Sequence, residues 1–437
     1  GVVTDAGVMT DAGVTGSDTF VQPAGAVVCN SPTDCEDGNP CTTETCVNSG
    51  CVHTATDGNV CGADKKCHGP VCFGGPGAAQ DIAVGADFVC AIGKGDVHCW
   101  GNHNKGQIGH GKPALSYYEP TPVKAGFTGN PVDIAAQQQH VCVVDRGASP
   151  ATRVVWCWGE NYWGSAGQLE PLQLVKPTQV PGVSDAVRVA TGHGHSCAVT
   201  ASGEVWCWGN NGDGQLGDGQ KCGKKCPKPV KVAGISDALL VAAGGDRTCV
   251  TRAGGSVWCW GDNTDSYLGT GSFSYKILTA ERVGKLVNTR ALAVGELHAC
   301  AVNIDNSVRC WGNGTKGEIG DGKSISQTEP TLVTGAVLPT VAAGRDHTCG
   351  RTGGDGKLLC WGDNDWGEIA TKATDKVVTP TQPWAVTDVR MLDTGSQVTC
   401  YIDKAGKPWC VGSELYGQLG DGNKNKVDVP VAVSVSW

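Results

Sequence analysis

The chain has 437 residues, of which 18% are charged, and its formal net charge at neutral pH is −9. No dense run of lysine and arginine occurs, which argues against a nucleic-acid-binding protein. No apolar run reaches the roughly 18 residues of a transmembrane helix, so we expect no membrane insertion. The 24 cysteines are an even number, and a reducing cytosol would not keep such a set oxidised. We therefore expect an extracellular or cell-surface protein.

Residues 1–28 predict a low-complexity N-terminal arm. The phrase TDAGV occurs twice in GVVTDAGVMTDAGVTGSDTF, and this Gly-, Asp- and Thr-rich composition is typical of a linker. Such an arm becomes ordered only when something holds it, either its own chain or a neighbouring molecule. Its valines could pair with an exposed strand edge as an added β-strand.

Residues 29–75 predict a small module held by disulfides rather than by a hydrophobic core. Its eight cysteines allow about a hundred connectivities, and the sequence does not choose among them. The phrase DGNPCTTETC is similar to short Cys-rich repeats in surface proteins of myxobacteria-like bacteria. The cysteines are Cys29, Cys35, Cys41, Cys46, Cys51, Cys61, Cys67 and Cys72.

From residue 79 onward the chain repeats a unit of about 50 residues seven times. Each unit carries two cysteines. The first is Cys90, Cys142, Cys197, Cys249, Cys300, Cys349 or Cys400, and the second is Cys99, Cys157, Cys207, Cys259, Cys310, Cys360 or Cys410. The residue after the second cysteine is Val411 in the last unit and tryptophan in the others, which predicts a shared packing contact. These tryptophans are Trp100, Trp158, Trp208, Trp260, Trp311 and Trp361.

The third unit illustrates the local structure. HSCAVT (195–200), the turn ASGE (201–204) and VWCWG (205–209) predict a β-hairpin, and further strands precede and follow it. A lone four-stranded sheet with two apolar faces cannot bury itself, whereas seven sheets around an axis cover one another. The sequence therefore predicts an all-β fold, a seven-bladed β-propeller of four-stranded antiparallel blades over residues 79–437. The ring could close by sharing strands from both chain ends in one blade or by simple contact of the first and last blades.

The repeat resembles that of the regulator-of-chromosome-condensation family. The resemblance rests on TGHGHSCAVTASGEVWCWGNNGDGQLGDG (191–219) and AGRDHTCGRTGGDGKLLCWGDNDWGEIA (343–370), and extends over all seven units. The founding member is a nuclear exchange factor for a small GTPase, and the fold also occurs in a plant ultraviolet receptor and in a secreted bacterial β-lactamase inhibitor. The resemblance thus implies the fold and leaves the function open.

The cysteines of the repeats suit a disulfide within each blade, because the two sulfurs meet across neighbouring strands. Cys222 and Cys226 form an additional pair in CGKKC. Metal binding or redox exchange is an alternative for short cysteine spacings, and a loop disulfide is the structural interpretation. Four histidines two residues before the first cysteine also share one slot, and we expect them to pack between strands. They are His140, His195, His298 and His347.

No motif for catalysis is present: the chain lacks a G-x-S-x-G elbow, an H-E-x-x-H pair and a Walker loop. We expect a non-enzymatic protein without a catalytic, cofactor-binding or metal site. Turns such as GDGQLGDG (212–219) could bind a structural calcium ion, but they lack the ordered acidic spacing of a dedicated loop.

One position in the turn after each second cysteine changes from unit to unit, between charged and aromatic residues. Equivalent loops of a propeller gather on one face, so a varied slot on a fixed scaffold indicates a candidate binding face. Neutral drift at exposed turns explains the variation equally well. The slot holds Lys105, Trp163, Asp213, Asp265, Lys316, Trp366 and Tyr416.

The sequence therefore predicts a non-catalytic extracellular interaction protein, of bacterial origin. In the leading hypothesis the arm docks on a neighbouring copy, and the partner is the protein itself in a fibre or surface appendage. The alternative is a secreted propeller that binds one foreign target through its loop face, as an enzyme inhibitor or a glycan-binding module.

Overall fold

The computed structural model describes residues 79–435, apart from 113–116, 148–151, 285, 372–375 and 424–426, and five short strands ahead of residue 79. The side chains of those five strands and of residues 427 and 428 are not described. The chain divides into two compact units, Gly1–Pro76 and Gly77–Trp437. Among the described residues, no helix combines the length and apolar character that crossing a membrane requires.

The first unit contains a small antiparallel sheet and a separate hairpin. The sheet has the strand order β1-β3-β2, and β4 pairs with β5. The register sets Cys46 opposite Cys51 and Cys67 opposite Cys72. The described part of the predicted arm, Thr19–Val21, therefore pairs with β3 of the cysteine-rich module, while residues 1–18 and 22–28 lie outside the described part. The strands are β1 (Thr19–Val21), β2 (Thr42–Val47), β3 (Gly50–Ala55), β4 (Lys66–His68) and β5 (Val71–Phe73).

The second unit is the predicted propeller of seven four-stranded antiparallel sheets, each built from consecutive strands. Blades one to four are β6 (Ala79–Val84), β7 (Phe88–Gly93), β8 (Asp96–Asn102), β9 (Tyr118–Lys124); β10 (Pro131–Gln137), β11 (His140–Asp145), β12 (Val154–Glu160), β13 (Gln173–Ser184); β14 (Ala186–Thr191), β15 (His195–Thr200), β16 (Val205–Asn210), β17 (Lys225–Lys231); and β18 (Ala238–Gly244), β19 (Arg247–Arg252), β20 (Val257–Asp262), β21 (Lys276–Arg282). Blades five to seven are β22 (Thr289–Val294), β23 (His298–Asn303), β24 (Ser307–Gly312), β25 (Gln327–Val337); β26 (Thr340–Ala343), β27 (His347–Arg351), β28 (Leu358–Gly362), β29 (Val377–Thr381); and β30 (Val389–Thr394), β31 (Val398–Asp403), β32 (Pro408–Gly412), β33 (Val427–Ala432).

A disulfide joins the second and third strands of every blade, as predicted. In the third blade the register sets Cys197 directly opposite Cys207, and their Cα atoms are 4.1 Å apart. Both are fully buried, because the two faces of a blade are covered by its neighbours. The other six bridges are Cys90–Cys99, Cys142–Cys157, Cys249–Cys259, Cys300–Cys310, Cys349–Cys360 and Cys400–Cys410.

The tryptophans after the second cysteines join neighbouring blades, as the repeat predicts. Trp260 is fully buried, and its indole Nε1 donates to the Gln215 carbonyl of the preceding blade at 2.8 Å. The same bond forms at Trp100, Trp158, Trp208 and Trp361. Trp311 is the exception: its Nε1 is buried and has no hydrogen-bond partner among the described residues.

The four histidines also connect blades. Nε2 of His195 lies 2.9 Å from the Thr248 hydroxyl of the next blade, and that hydroxyl donates to the Gln215 carbonyl at 2.9 Å. Because the hydroxyl proton is used there, His195 donates from Nε2 and is the neutral Nε2–H tautomer. Burial lowers its pKa to about 3. Equivalent contacts join His140 to Ser196, His298 to Thr348 and His347 to Thr399.

Glycines let the innermost strands approach closely around the axis. A Cβ atom built on Gly295 would lie 2.3 Å from the Gly344 carbonyl oxygen, and one on Gly344 would lie 2.4 Å from that of Gly395. On Gly395 it would lie 2.1 Å from that of Gly85. These distances are far below van der Waals contact, so any side chain there would push neighbouring blades apart.

The ring closes by contact of the first and last blades, which settles the question that the sequence left open. Blade one consists of β6–β9 and blade seven of β30–β33, so the two share no strand. The Ala79 amide donates to the Gly406 carbonyl at 2.8 Å, and Trp100 Nε1 donates to the Gln418 carbonyl at 3.0 Å. The seam therefore uses the same tryptophan bond as the blade interfaces within the ring.

Candidate protein-binding face

The turns after the first and third strands of each blade lie at the same end of the propeller, because the four strands run up and down in sequence order. A backbone bond ties the two turns together: the Asn210 amide donates to the Gly194 carbonyl at 2.8 Å, and the Asn102 amide to the Asp87 carbonyl at 2.8 Å. Equivalent bonds occur in the other five blades. This end therefore has a fixed backbone on which side chains vary.

A glutamine or glutamate two residues later holds the backbone of the varied slot in five blades. The Asp213 amide donates to Gln215 Oε1 at 2.8 Å, and the Lys316 amide donates to Glu318 Oε2 at 2.8 Å. Lys105, Trp366 and Tyr416 make the same bond. The slot therefore tolerates different side chains because its conformation is set by the backbone and by a neighbouring side chain.

Three charged residues of the slot form ion pairs with the next blade. Lys105 Nζ lies 3.7 Å from a Glu160 carboxylate oxygen, Asp213 lies 2.7 Å from Lys276 Nζ, and Lys316 lies 2.7 Å from Asp363. Trp163 and Trp366 are half-buried, whereas Asp265 and Tyr416 are exposed. Part of the variation at the slot is thus explained by contacts between blades.

The turns and longer loops around this slot carry exposed apolar side chains, most of which the sequence analysis missed. Phe273 is 90% exposed and Tyr275 is 71% exposed. Asn263 holds their loop, since its Nδ2 donates to the carbonyls of Ser272 and Ser274. Ile325, in the corresponding loop of blade five, is 55% exposed. We call the surface formed by the loops at this end the aromatic-rich face. Its exposed apolar side chains are Tyr117, Tyr162, Leu169, Leu172, Phe273, Tyr275, Ile325, Leu415 and Tyr416.

The face also contains carboxyl groups whose pKa is raised by burial. Glu318 and Glu368 lie two residues after the varied slot, at a position that is glutamine in three other blades. Loss of solvent raises the pKa of each carboxyl group to about 7. Desolvation likewise raises the pKa of Asp246 and Asp346. The negative charge of the face therefore increases as the pH rises through neutrality.

The acidic turn proposed for calcium already uses its carboxylates. Asp218 Oδ1 accepts from Asn211 Nδ2 at 3.0 Å and from the Gln220 amide at 2.8 Å, while Asp213 pairs with Lys276. Cys222 and Cys226 form a disulfide beside this turn. Among the described residues one cluster offers three potential metal ligands, and it lies in blade one: His103, His110 and Glu119.

Two family models of the regulator of chromosome condensation (RCC1) repeat match the chain. One matches residues 94–144, 154–199 and 202–251, and the other matches 186–215, 240–266, 290–318 and 340–367. The chain belongs to the RCC1-repeat family. The expected resemblance is thereby confirmed for the propeller unit.

Curated RCC1-repeat relatives differ in size and in the activities that their names state. The chain is 26% identical to the human E3 ubiquitin-protein ligase HERC2 over 79% of its own length, but it spans only 7% of HERC2. It is also 26% identical to the ultraviolet-B receptor UVR8 of Arabidopsis thaliana, over 78% of both chains.

Two solved structures share the fold of this chain. Prp20p of Saccharomyces cerevisiae has a TM-score of 0.70 at 22% identity, covering 82% of this chain and 88% of Prp20p, and was characterised for its binding to Gsp1p and histones. Human WBSCR16 has a TM-score of 0.69 at 19% identity, covering 78% of this chain and 94% of that protein.

Proposed function

We propose that this protein is a non-catalytic, extracellular binding protein that recognises a protein partner through the aromatic-rich face. The observation that carries the proposal is the position of Phe273, Tyr275 and Ile325, which are 90%, 71% and 55% exposed. Exposed apolar side chains that gather on one surface of a soluble domain mark interaction sites, and aromatic residues are enriched in protein interfaces.

The loops that carry these three side chains are linked to each other across two consecutive blades. Phe273 and Tyr275 belong to the loop of blade four, and Ile325 belongs to the loop of blade five. The Tyr267 hydroxyl of the first loop lies 2.9 Å from the Ser326 hydroxyl of the second. A partner would therefore meet a pre-organised apolar surface, which reduces the entropy lost on binding.

The extracellular location is part of the proposal and is supported by the cysteines. The second unit contains eight disulfides, and among the described residues no cysteine is free. Disulfides form and persist in oxidising compartments. A seven-bladed ring held by a bridge in every blade suits a protein that has to keep its binding surface rigid outside the cell.

Assembly into a fibre through residues 1–28 stays a prediction. Only Thr19–Val21 of the arm is described, and this strand pairs with Gly50–Ala55 of the same chain. The partner of the aromatic-rich face is either a second copy of the chain or a foreign protein. Electron microscopy of the full chain and of a variant that lacks residues 1–28 distinguishes arm-dependent assembly from the binding proposed here.

The test compares two triple variants of the full chain as immobilised bait for proteins secreted by the source organism. The face variant carries Phe273→Ala, Tyr275→Ala and Ile325→Ala. The control carries Ile304→Ala, Val337→Ala and Trp384→Ala, three residues of the opposite end that are 57%, 64% and 40% exposed. We expect a partner that the wild type and the control retain and that the face variant loses. Equal retention by all three proteins would refute the proposal.

A further inference from the structure

Three side chains of blade one bring metal-ligating atoms together at the aromatic-rich face. His103, His110 and Glu119 each offer one ligand atom, and these atoms lie within 4.8 Å of one another. The two imidazole rings meet edge to face, with centroids 5.2 Å apart. The His103 amide donates to the Tyr117 carbonyl at 2.9 Å, so the turn is held against the strand that carries Glu119.

His103 supplies an independent sign that a ligand belongs here. Its side chain is 4% exposed, and its Nε2 is buried without a hydrogen-bond partner among the described residues. Native proteins rarely leave a buried polar atom unpaired, and an unfilled ion site is one of the reasons they do so. A cation between the three side chains would satisfy this nitrogen.

Other blades show the structural role of this corner of the repeat, by which we mean the place where the turn after the third strand meets the start of the outermost strand. In blade three Asn211 and Asp218 stand where blade one has His103 and His110, and Asn211 Nδ2 donates to Asp218 Oδ1 at 3.0 Å. Beside them the Cys222–Cys226 bridge ties the loop to the outermost strand.

Blade five links the same two segments by a hydrogen bond. Gln327 holds the position of Glu119, since each lies opposite the glycine that follows the tryptophan. Asp321 holds the position of His110, and Gln327 Nε2 donates to Asp321 Oδ2 at 2.8 Å. The corner therefore cross-links the loop to the outermost strand in both blades, by different chemistry.

We propose that blade one makes this cross-link with a Zn²⁺ ion bound by His103, His110 and Glu119. Imidazole nitrogen and carboxylate oxygen are established ligands of zinc, and three protein ligands leave the fourth tetrahedral position to water. Atoms that bind one such ion are roughly 3.4 Å apart. The ligand atoms therefore have to approach one another by up to about 1.4 Å when the ion binds.

The surroundings keep the ligands available. His110 is half-buried beside the His103 ring. Its Nδ1 accepts from the Lys112 amide at 3.2 Å in an exposed contact, which water replaces readily. The bound ion would link the turn of blade one to its outermost strand, as the Cys222–Cys226 disulfide does in blade three.

The test is Zn²⁺ titration of the full chain by calorimetry after chelator treatment, compared with a double variant, His103→Asn with His110→Asp. This variant recreates the Asn211–Asp218 pair of blade three, so it is expected to fold, which circular dichroism checks. We expect the wild type to bind one Zn²⁺ more than the double variant, with a dissociation constant below about 1 μM. His193→Asn is the matched control, because His193 lies 3.8 Å from a single carboxylate, Asp246.

Cobalt supplies a second readout that does not depend on affinity. Tetrahedral Co²⁺ absorbs visible light strongly and octahedral surface-bound Co²⁺ does so weakly, so we expect an intense band in the wild type and in His193→Asn. Glu119→Gln should weaken binding at least 10-fold. Equal Zn²⁺ stoichiometry in the wild type and the double variant, or a weak octahedral spectrum in the wild type, would overturn the proposal.

Discussion

Trp260 and Trp311 occupy the same slot in neighbouring blades but differ in one hydrogen bond. Both are fully buried. Trp260 Nε1 donates to the Gln215 carbonyl at 2.8 Å, whereas Trp311 Nε1 has no partner among the described residues. Substituting each by phenylalanine removes the same group from both sites. We predict that Trp311→Phe destabilises the protein less than Trp260→Phe.

The size of the difference follows from what each substitution removes. The loss of ring volume is common to both sites, so it cancels in the comparison. At Trp260 the change also removes a buried hydrogen bond with a net value of about 1 kcal/mol. The Gln215 carbonyl stays satisfied by the Thr248 hydroxyl. At Trp311 the change removes an unpaired donor whose burial costs about 1–3 kcal/mol. We expect Trp311→Phe to be milder by about 2–4 kcal/mol.

The unpaired indole faces the turn of blade four, where Ser266 replaces the glycine of the other six turns. Its φ is 59°, whereas the six glycines lie between 77° and 90°, so the peptide that follows Ser266 is oriented differently. Ser266→Gly allows the glycine conformation and should let the Tyr267 carbonyl accept from Trp311. We expect this variant to gain about 1 kcal/mol.

The assay is guanidinium unfolding with the disulfides intact, followed by circular dichroism rather than by tryptophan fluorescence. Trp208→Phe is a matched reference, because Trp208 Nε1 donates to the Ser165 carbonyl at 2.8 Å, and it should resemble Trp260→Phe. If Trp311→Phe loses as much stability as these two variants, the hydrogen-bond argument is refuted.

Three further predictions concern pH, axial packing and the disulfides. Burial raises the pKa of Glu414 from 4.5 to about 8, so this group favours folding when protonated, and the benefit is lost progressively as the pH rises from about 4.5 to 8. Glu414→Gln should therefore change the unfolding temperature little at pH 4 and raise it at pH 9, and equal effects at both pH values would contradict this. Gly395→Ala should destabilise the protein by about 1–3 kcal/mol, because the new Cβ would lie 2.1 Å from the Gly85 carbonyl oxygen. Gly353→Ala is the control and should leave stability unchanged, since its Cβ would have no atom within 4 Å. Chemical denaturation measures the free energy of unfolding of both variants. Mild reductant applied to the folded protein should open Cys222–Cys226 before the seven blade bridges, because Cys222 is partly exposed; mass spectrometry after alkylation would show the order, and prior loss of a blade bridge would count against it.

The fold could be predicted because the same residues that determine strand pairing and packing recur in all seven repeats. A cysteine pair across a hairpin and a tryptophan beside it fix which strands pair and which face meets the next blade, as at Cys197 and Trp208. The closure of the ring could not be predicted, because it depends on contacts between the two ends of the unit, such as the Ala79 amide and the Gly406 carbonyl. Nothing in a local pattern distinguishes a shared strand from simple contact.

The candidate site was harder to predict because exposure is a property of the whole loop. The varied slot attracts attention in the sequence, yet Lys316 is engaged by Asp363 of the next blade. Phe273 and Tyr275 lie in a loop segment whose length differs between blades, so a comparison of repeats does not align them. The pair His103 and His110 could have been found by aligning the turns, since it replaces an asparagine and an aspartate that bond to each other in blade three.

The closure of the ring has a consequence for how such a chain changes in evolution. Because blades one and seven are each complete in sequence and meet through the same Trp100 bond that joins other blades, no blade is obliged to come first. The linear order of the chain is therefore arbitrary with respect to the circle, and a gene could be cut and rejoined between any two units without dividing a sheet. Duplication of a unit adds one complete blade, so the number of different loops on the aromatic-rich face can increase one blade at a time.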